Sequence, residues 1–357
     1  MKADDRLTRK NHIRRQTRTD GFVTSAGGVE IYDLTIAEGR LDITSLSQIE
    51  LPQELDHEAI IELPYSFETS CDVIAWATAM MADSPTASRL WVEAERQGWK
   101  VGIADLKNGG YHLDIAGQTL MLDNFALSAS ALGRSPYFRN ALLVSFVGAL
   151  RDIWHEQRSG ALEERYAPEA ALMLERVRAA DCDTVTLLVG WELRGAGYTD
   201  VWRHLIGSEE GDMALVFTRF LERDPTALFD GSALAYGFRQ WYADESRVDG
   251  CDHETLESYD DILLQHEGTH HPFGENRLTA GDIESMACLP DGRCYLRGLG
   301  ETILRDPFFA GLHDPVNQTH LFHLMYDMEV VMVNNVPFRD VSLARKIFPQ
   351  GDLTRIR

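Results

Sequence analysis

The sequence has 357 residues, of which 44% are hydrophobic, and its formal net charge is −22 at neutral pH. The length and the hydrophobic content predict a folded globular protein and exclude a disordered chain. The negative charge would repel phosphate backbones and anionic lipid surfaces, so we expect no nucleic acid and no membrane among the partners.

The first twenty residues have the opposite charge. They carry seven Lys and Arg residues and almost no apolar ones. A segment of this kind lacks the apolar core of a signal peptide, so residues 1–20 are predicted to form a basic, flexible arm.

The number and spacing of the cysteines indicate their redox state and hence the cellular compartment. The five cysteines include no Cys-x-x-Cys pair, and they are Cys71, Cys182, Cys251, Cys288 and Cys294. An odd number in a large chain predicts reduced thiols and a cytoplasmic protein. Cys288 and Cys294 could meet across the turn at Pro290-Asp-Gly, although a coincidence within a loop is the preferred interpretation.

The first half of the chain predicts a small sheet after two helices. Short β-like runs lie within residues 21–63, and helical spacing follows from Ser66 to Ala82 and from Pro85 to Gln97. The runs KVGIADL, YHLDI and TLMLDNF are separated by the turn sequences NGG and AGQ. This alternation predicts a three-stranded antiparallel meander.

Two long helices are predicted next, over Pro136–Arg158 and Pro168–Gly197. Ser135-Pro136 is typical of a helix start, and apolar residues fill most of the first helix, which predicts burial on most sides. Apolar residues on the second helix repeat in steps of three and four, which indicates one narrow face with Asp181 on its flank. The simplest interpretation is two antiparallel core helices in which Asp181 pairs with a basic residue such as Arg151.

The remainder is predicted to be mainly helical. The predicted helices are bounded by Gly, Asp or Pro, and they are Thr199–Gly207, Asp212–Arg223, Ala227–Arg247, His253–Gln265, Thr279–Cys288 and Asn317–Val331. The predicted fold class is therefore α+β and predominantly helical, with a small antiparallel β-meander packed on long core helices.

A zinc-peptidase motif occurs in the chain. Residues 266–270 read His-Glu-Gly-Thr-His, which has the His-Glu-x-x-His form of zinc peptidases. On a helix this spacing places His266 and His270 on one face to bind zinc, and Glu267 can act as the general base that activates water. The third ligand is expected from the following helix, from Glu284 or Asp282.

A second interpretation of the same segment stays open. Gly268 lies inside the motif and Pro272 follows it closely, and both residues disfavour a helix that continues past the second histidine. The alternative is a polar helix end and loop with no metal.

The chain also resembles a known family. The similarity lies in the order of the predicted elements, in the run Leu-Met-Leu-Asp-Asn, and in helices with Arg178-Ala-Ala-Asp181 and Trp191-Glu-Leu-Arg194. Over roughly residues 99 to 260 the sequence resembles a bacterial domain-of-unknown-function family described as putative metallopeptidases. The resemblance implies a zincin-like α+β core over residues 21–260. A mainly helical C-terminal region over 261–357 follows, either as part of the same domain or as a separate one.

The resemblance also implies where a metal site would be and how this chain departs from it. Such relatives carry His-Glu-x-x-His on the first long helix and Glu-Ala-Asp-Ala on the later one. Here the first helix reads Arg151-Asp-Ile-Trp-His155 and the later one Ala179-Ala-Asp-Cys182. Arginine cannot bind a metal, so Arg151 would repel zinc and pair with Asp152 or Asp181.

Two functions follow from the sequence. The first is a zincin-like metallopeptidase that cleaves a peptide or protein substrate, or a catalytically degenerate relative of one. If it is active, zinc is the expected cofactor, His266, His270 and Glu284 are its ligands, and Glu267 is the catalytic base. The second is a non-catalytic helical scaffold or protein-interaction module.

Overall fold

A computed structural model describes residues 65–107, 109–265 and 272–329, together with short segments at 14–15, 44–45, 331–333, 336–338, 345–347 and 353–355. By their internal contacts the residues divide into two units. Unit 1 comprises Met1–Trp154 and Val185–Leu215, and unit 2 comprises His155–Thr184 and Val216–Arg357. The predicted domain boundaries near residues 20 and 260 stay predictions.

Helices make up most of the described chain, which confirms the predicted fold class. Those that begin before residue 200 are α1 (Ser70–Ala82), α2 (Pro85–Arg96), α3 (Ala129–Arg134), α4 (Pro136–Ser159), α5 (Pro168–Gly195) and α6 (Thr199–Gly207). The later ones are α7 (Gly211–Arg223), α8 (Ala227–Asp230), α9 (Ser232–Trp241), α10 (Glu245–Gln265), α11 (Ala280–Met286), α12 (Gly300–Arg305), α13 (Pro307–Ala310) and α14 (Pro315–Glu329).

The strands form two small sheets. The first contains β1 (Arg14–Arg15), β2 (Thr44–Ser45), β3 (Lys100–Ala104), β4 (Tyr111–Asp114) and β5 (Thr119–Asp123) in the order β1-β4-β5-β3-β2. The second contains β6 (Val331–Val333), β7 (Val336–Phe338) and β8 (Leu353–Arg355), with β6 in the middle.

The first sheet differs from the predicted meander. The β4–β5 hairpin is present, but β5 also pairs in parallel with β3, so the sheet is mixed. Burial explains the order, because Leu120, Met121 and Leu122 on β5 are all buried. A strand with both faces buried takes a central place, whereas a meander would have put β5 at the edge. Tyr111 of β4 lies beside Gly148 of α4, which places the sheet on that long helix as predicted.

Two helix predictions are wrong in part. The segment predicted as one helix over Ala227–Arg247 breaks at Gly231, whose φ of +84° is left-handed, and again before α10. Only glycine adopts that backbone conformation without strain. On α5 the burial is not confined to one narrow face, because nearly every residue from Ala171 to Gly190 is buried.

The cysteine prediction is also wrong in part. Cys288 and Cys294 form a disulfide, while Cys71, Cys182 and Cys251 carry thiols. The antiparallel backbone bridge between Cys288 and Cys294 brings the two sulfur atoms together across the turn. The described helices include none that is long and apolar enough to cross a membrane.

In unit 1, Glu192 of α5 fixes the start of α2. Its carboxylate accepts hydrogen bonds from the Ser84 and Thr86 hydroxyls and from the Thr86 backbone N–H, the last at 3.0 Å. Helix starts carry unpaired N–H groups that need acceptors, and here a side chain from a distant helix supplies one. Trp91 of α2 packs edge-on against Phe146 of α4 in the same unit.

We expect Glu192→Ala to lower the free energy of unfolding by about 2 kcal/mol, because it leaves buried donors without an acceptor. Urea denaturation measures the change. Glu222→Ala, which removes an exposed carboxylate from α7, is the control and should change stability by less than about 0.5 kcal/mol. Equal effects from the two variants would contradict this role for Glu192.

Candidate functional site

The helix segments that the resemblance assigns to a metal site meet in unit 2. His155 lies in the last turns of α4, and its Nε2 is 2.7 Å from Oδ2 of Asp181 on α5. The Tyr295 hydroxyl donates to Oδ1 of the same carboxylate at 2.8 Å. We call these three residues the His155 cluster. All three are buried, and Asp181 is 0% exposed.

The contact with Asp181 engages Nε2 of His155. An ionised carboxylate only accepts hydrogen bonds, so with Asp181 ionised the Nε2 atom carries the hydrogen that the two groups share. A histidine that binds a metal uses a nitrogen lone pair instead. With Asp181 ionised, Nε2 of His155 is therefore a donor and not a metal ligand.

The distance between the two side chains is also too short for zinc. Two ligands on one tetrahedral zinc ion lie about 3.3 Å apart, because each is about 2.0 Å from the metal. The 2.7 Å separation of His155 and Asp181 is that of a hydrogen bond. Within the described ranges, no group of three or more His, Cys, Asp or Glu side chains is placed to hold a metal ion. The helix pair does not fit a zinc site.

Two arginine side chains near the cluster in sequence are buried. Arg178 is buried and pairs with Glu156 of α4 at 3.3 Å. In unit 1, the guanidinium of Arg151 is wholly buried and lies 5.8 Å from the ring centroid of Trp154. The prediction that Asp181 pairs with a basic residue is confirmed for His155, and an ion pair of Arg151 with Asp152 or Asp181 stays a prediction.

A second buried ion pair lies close by on α5. Arg176 donates from both Nε and Nη2 to the Asp252 carboxylate of α10, and from Nη1 to the Gly311 carbonyl at 2.8 Å. Burial raises the pKa of Asp252 to about 6, because removal from water disfavours the charged form more than Arg176 favours it. Arg176 therefore holds α10 and the loop after α13 against α5.

The residues that the sequence predicts to bind zinc are not those of the His155 cluster. His266, Glu267 and His270 lie outside the described residues. Glu284 is on α11, as expected, and its Oε1 accepts a hydrogen bond from the Gly300 N–H at 3.2 Å. The alternative ligand Asp282 accepts hydrogen bonds from Thr279 at the start of α11 and from the Tyr166 hydroxyl. Both carboxylates therefore have partners at the starts of short helices, Asp282 at the start of α11 and Glu284 at the start of α12.

The comparison with known families confirms the resemblance. Residues 141–296 match the model of a family described as a putative metallopeptidase family. The match begins inside α4 rather than at the sheet, and it extends beyond residue 260 to include Tyr295. The match therefore contains the whole His155 cluster. No curated protein and no solved structure matches the chain.

His155 and Asp181 could be named from the sequence, whereas Tyr295 could not. Its hydroxyl meets a carboxylate 114 positions away in the sequence, and no spacing rule connects residues so far apart. The nearest local signal was the turn sequence between Cys288 and Cys294, which brings Tyr295 to the end of a hairpin.

We expect Tyr295→Phe to lower the free energy of unfolding by about 1 to 2 kcal/mol, because Asp181 loses one of its buried donors. Urea denaturation of the full chain measures the change. Tyr236→Phe removes a hydroxyl from a tyrosine that is 48% exposed and should leave stability within about 0.5 kcal/mol of wild type. A Tyr295→Phe protein as stable as the Tyr236→Phe protein would contradict this role.

The raised pKa of Asp252 predicts that the free energy of unfolding falls as the pH rises. Its folded pKa of about 6 is above the unfolded value near 3.8, so the folded state binds the proton more tightly. The stability that this proton contributes is present below about pH 4 and is lost as the pH rises through about 6. Relative to Asp252→Asn, wild type should lose about 2 kcal/mol between about pH 4.5 and about pH 7.5. Urea denaturation at both pH values tests this, and a constant difference between the proteins would contradict it.

Proposed function

We propose that this protein is a catalytically degenerate relative of the metallopeptidase family, and that it acts as a protein-interaction module. The family match over residues 141–296 supports this class. The observation that carries the proposal is the 2.7 Å contact between His155 and Asp181, which takes the place that the resemblance assigns to a zinc site. Hydrolysis by zinc-bound water between α4 and α5 would need these side chains as ligands.

Burial gives the cluster a structural role in this proposal. A buried carboxylate is costly unless several donors satisfy it, and Asp181 receives one from α4 and one from the segment after α11. A fully satisfied polar network fixes the mutual position of the segments that contribute to it. The helix pair then supports a surface that binds a peptide or protein partner without cleaving it.

A second candidate function is supported by the motif at residues 266–270. In this alternative His266 and His270 hold zinc and Glu267 takes the proton from the attacking water, while Glu284 provides the third ligand. Zinc in such a site supplies Lewis acidity and lowers the pKa of a bound water. Glu284 favours this alternative because its hydrogen bond to Gly300 uses only Oε1, and a carboxylate has a second oxygen for a metal.

Metal analysis of protein purified without a histidine tag separates the two functions. Under the first proposal we expect far less than one zinc per chain, both in wild type and in His155→Ala. Under the second we expect one zinc per chain, which His266→Ala removes and His155→Ala leaves in place. His253→Ala, which changes an exposed histidine on α10, is the control for nonspecific loss.

The zinc content of the variants distinguishes the two proposals. Stoichiometric zinc that disappears in His155→Ala would contradict the first proposal, because it would place the metal against α4. Folded protein without zinc would contradict the second. Circular dichroism of each variant checks that a loss of zinc does not reflect unfolding.

A further inference from the structure

Residues 287–295 form a small hairpin in unit 2, which we call the disulfide hairpin. The Leu289 N–H donates to the Arg293 carbonyl at 2.7 Å, and the Tyr295 N–H donates to the Ala287 carbonyl at 3.3 Å. Gly292 closes the turn with a left-handed φ of +89°. The disulfide between Cys288 and Cys294 joins its two arms.

The disulfide hairpin is held against the start of α9. Arg293 donates from Nη1 to the Leu228 carbonyl of α8 at 2.9 Å. A Cβ atom added at Gly231 would lie only 2.8 Å from the Cβ of Tyr295, so the hairpin packs directly on this glycine. The ring of Tyr295 lies 6.3 Å from that of Phe238, edge to face. These contacts fix the backbone from which Tyr295 projects.

The position of the disulfide links it to the buried acid. Cys294 directly precedes Tyr295, and the hydroxyl of Tyr295 donates to Asp181 in the His155 cluster. Cys288 and Cys294 are each partly exposed, whereas Cys182 and Cys251 are buried. A small reductant in solution can therefore reach the disulfide while the protein is folded.

We propose that the Cys288–Cys294 disulfide is a redox-sensitive clamp that holds the Tyr295 hydroxyl on Asp181. Reduction by a dithiol breaks the S–S bond and forms two cysteine thiols. The dithiol supplies two electrons and two protons and itself becomes a disulfide. Without the clamp the hairpin arms separate more often, and the hydrogen bond from Tyr295 to Asp181 opens with them.

The length of the enclosed loop explains why reduction acts locally. Only six positions separate the two cysteines, and a disulfide that closes so short a loop restricts the unfolded chain less than a long-range one. After reduction the backbone hydrogen bonds of the hairpin open more often, but they re-form, and the contact of Arg293 with α8 still holds the hairpin in place. The fold therefore survives, and the change is confined to the hairpin and its hydrogen bond to α5.

The proposed clamp is independent of the proposed function. It depends on the hydrogen bond between Tyr295 and Asp181 and holds whether or not the chain hydrolyses peptides. Its failure would leave the zinc analysis unaffected, and a zinc-binding result at His266 would leave the clamp unaffected.

Hydrogen exchange of the full chain, measured by mass spectrometry with and without dithiothreitol, tests the clamp. On reduction we expect exchange across residues 287–295 to rise about tenfold, with a smaller rise across residues 178–184 of α5. Thiol titration of denatured protein should give three thiols before reduction and five afterwards. Five thiols in protein equilibrated with oxidised glutathione, or unchanged exchange once five thiols are present, would overturn the proposal.

Variants separate the clamp from general effects of reductant. The double variant Cys288→Ser with Cys294→Ser should show the fast exchange of the reduced protein and no response to dithiothreitol. Cys71→Ser, which changes an exposed cysteine outside the hairpin, should respond as wild type does. If the double variant does not fold, reduction of wild type still decides the question.

Tyr295→Phe tests the link to α5. With the disulfide intact, this variant should already show raised exchange across residues 178–184, and reduction should raise only the hairpin further. A second rise in α5 on reduction of Tyr295→Phe would overturn the proposal that Tyr295 carries the coupling.

Discussion

The carboxylate of Asp181 is wholly buried, and three segments of unit 2 meet at it. Removing a charge from water costs several kcal/mol unless donors replace the water. His155 at the end of α4 and the Tyr295 hydroxyl after α11 are among the groups that replace it. Three segments far apart in the sequence therefore share one acidic side chain, and the Arg178–Glu156 pair also joins α4 to α5. A helix shift of one residue would break this arrangement.

The long helices could be predicted closely because their signals are local. Ser135-Pro136 marks the start of α4, and Pro168 marks the start of α5, so both predicted ranges agree with the structure within two residues. Predictions failed where contacts with distant segments determine the strand order or the end of a helix. The place of β5 between β3 and β4 depends on what covers its two faces, and the break at Gly231 depends on the close approach of Tyr295.

The candidate site was predictable only in part, for a related reason. His155 and Asp181 could be named because each lies on a recognisable helix, and helical spacing says which neighbours share a face. Which acid pairs with which base is set by the packing of whole helices, so the sequence could not single out His155 as a partner of Asp181. Tyr295 and the disulfide that precedes it belong to a short hairpin whose position depends on α8 and α9.

The partners of the polar side chains on α5 separate this helix from a metal-binding one. Successive helical residues are rotated by about 100°, so Arg176 and Asp183 lie on one side of the helix, and Arg178 and Asp181 lie on the other. Each meets a different partner in unit 2, and these are Asp252, Glu156, His155 with Tyr295, and Trp241. A zinc site requires the reverse, because three or four ligands must converge on one point. Restoring a metal site at α5 would therefore require more than a histidine in place of Arg151, since the hydrogen bonds that satisfy Asp181 would first have to be given up.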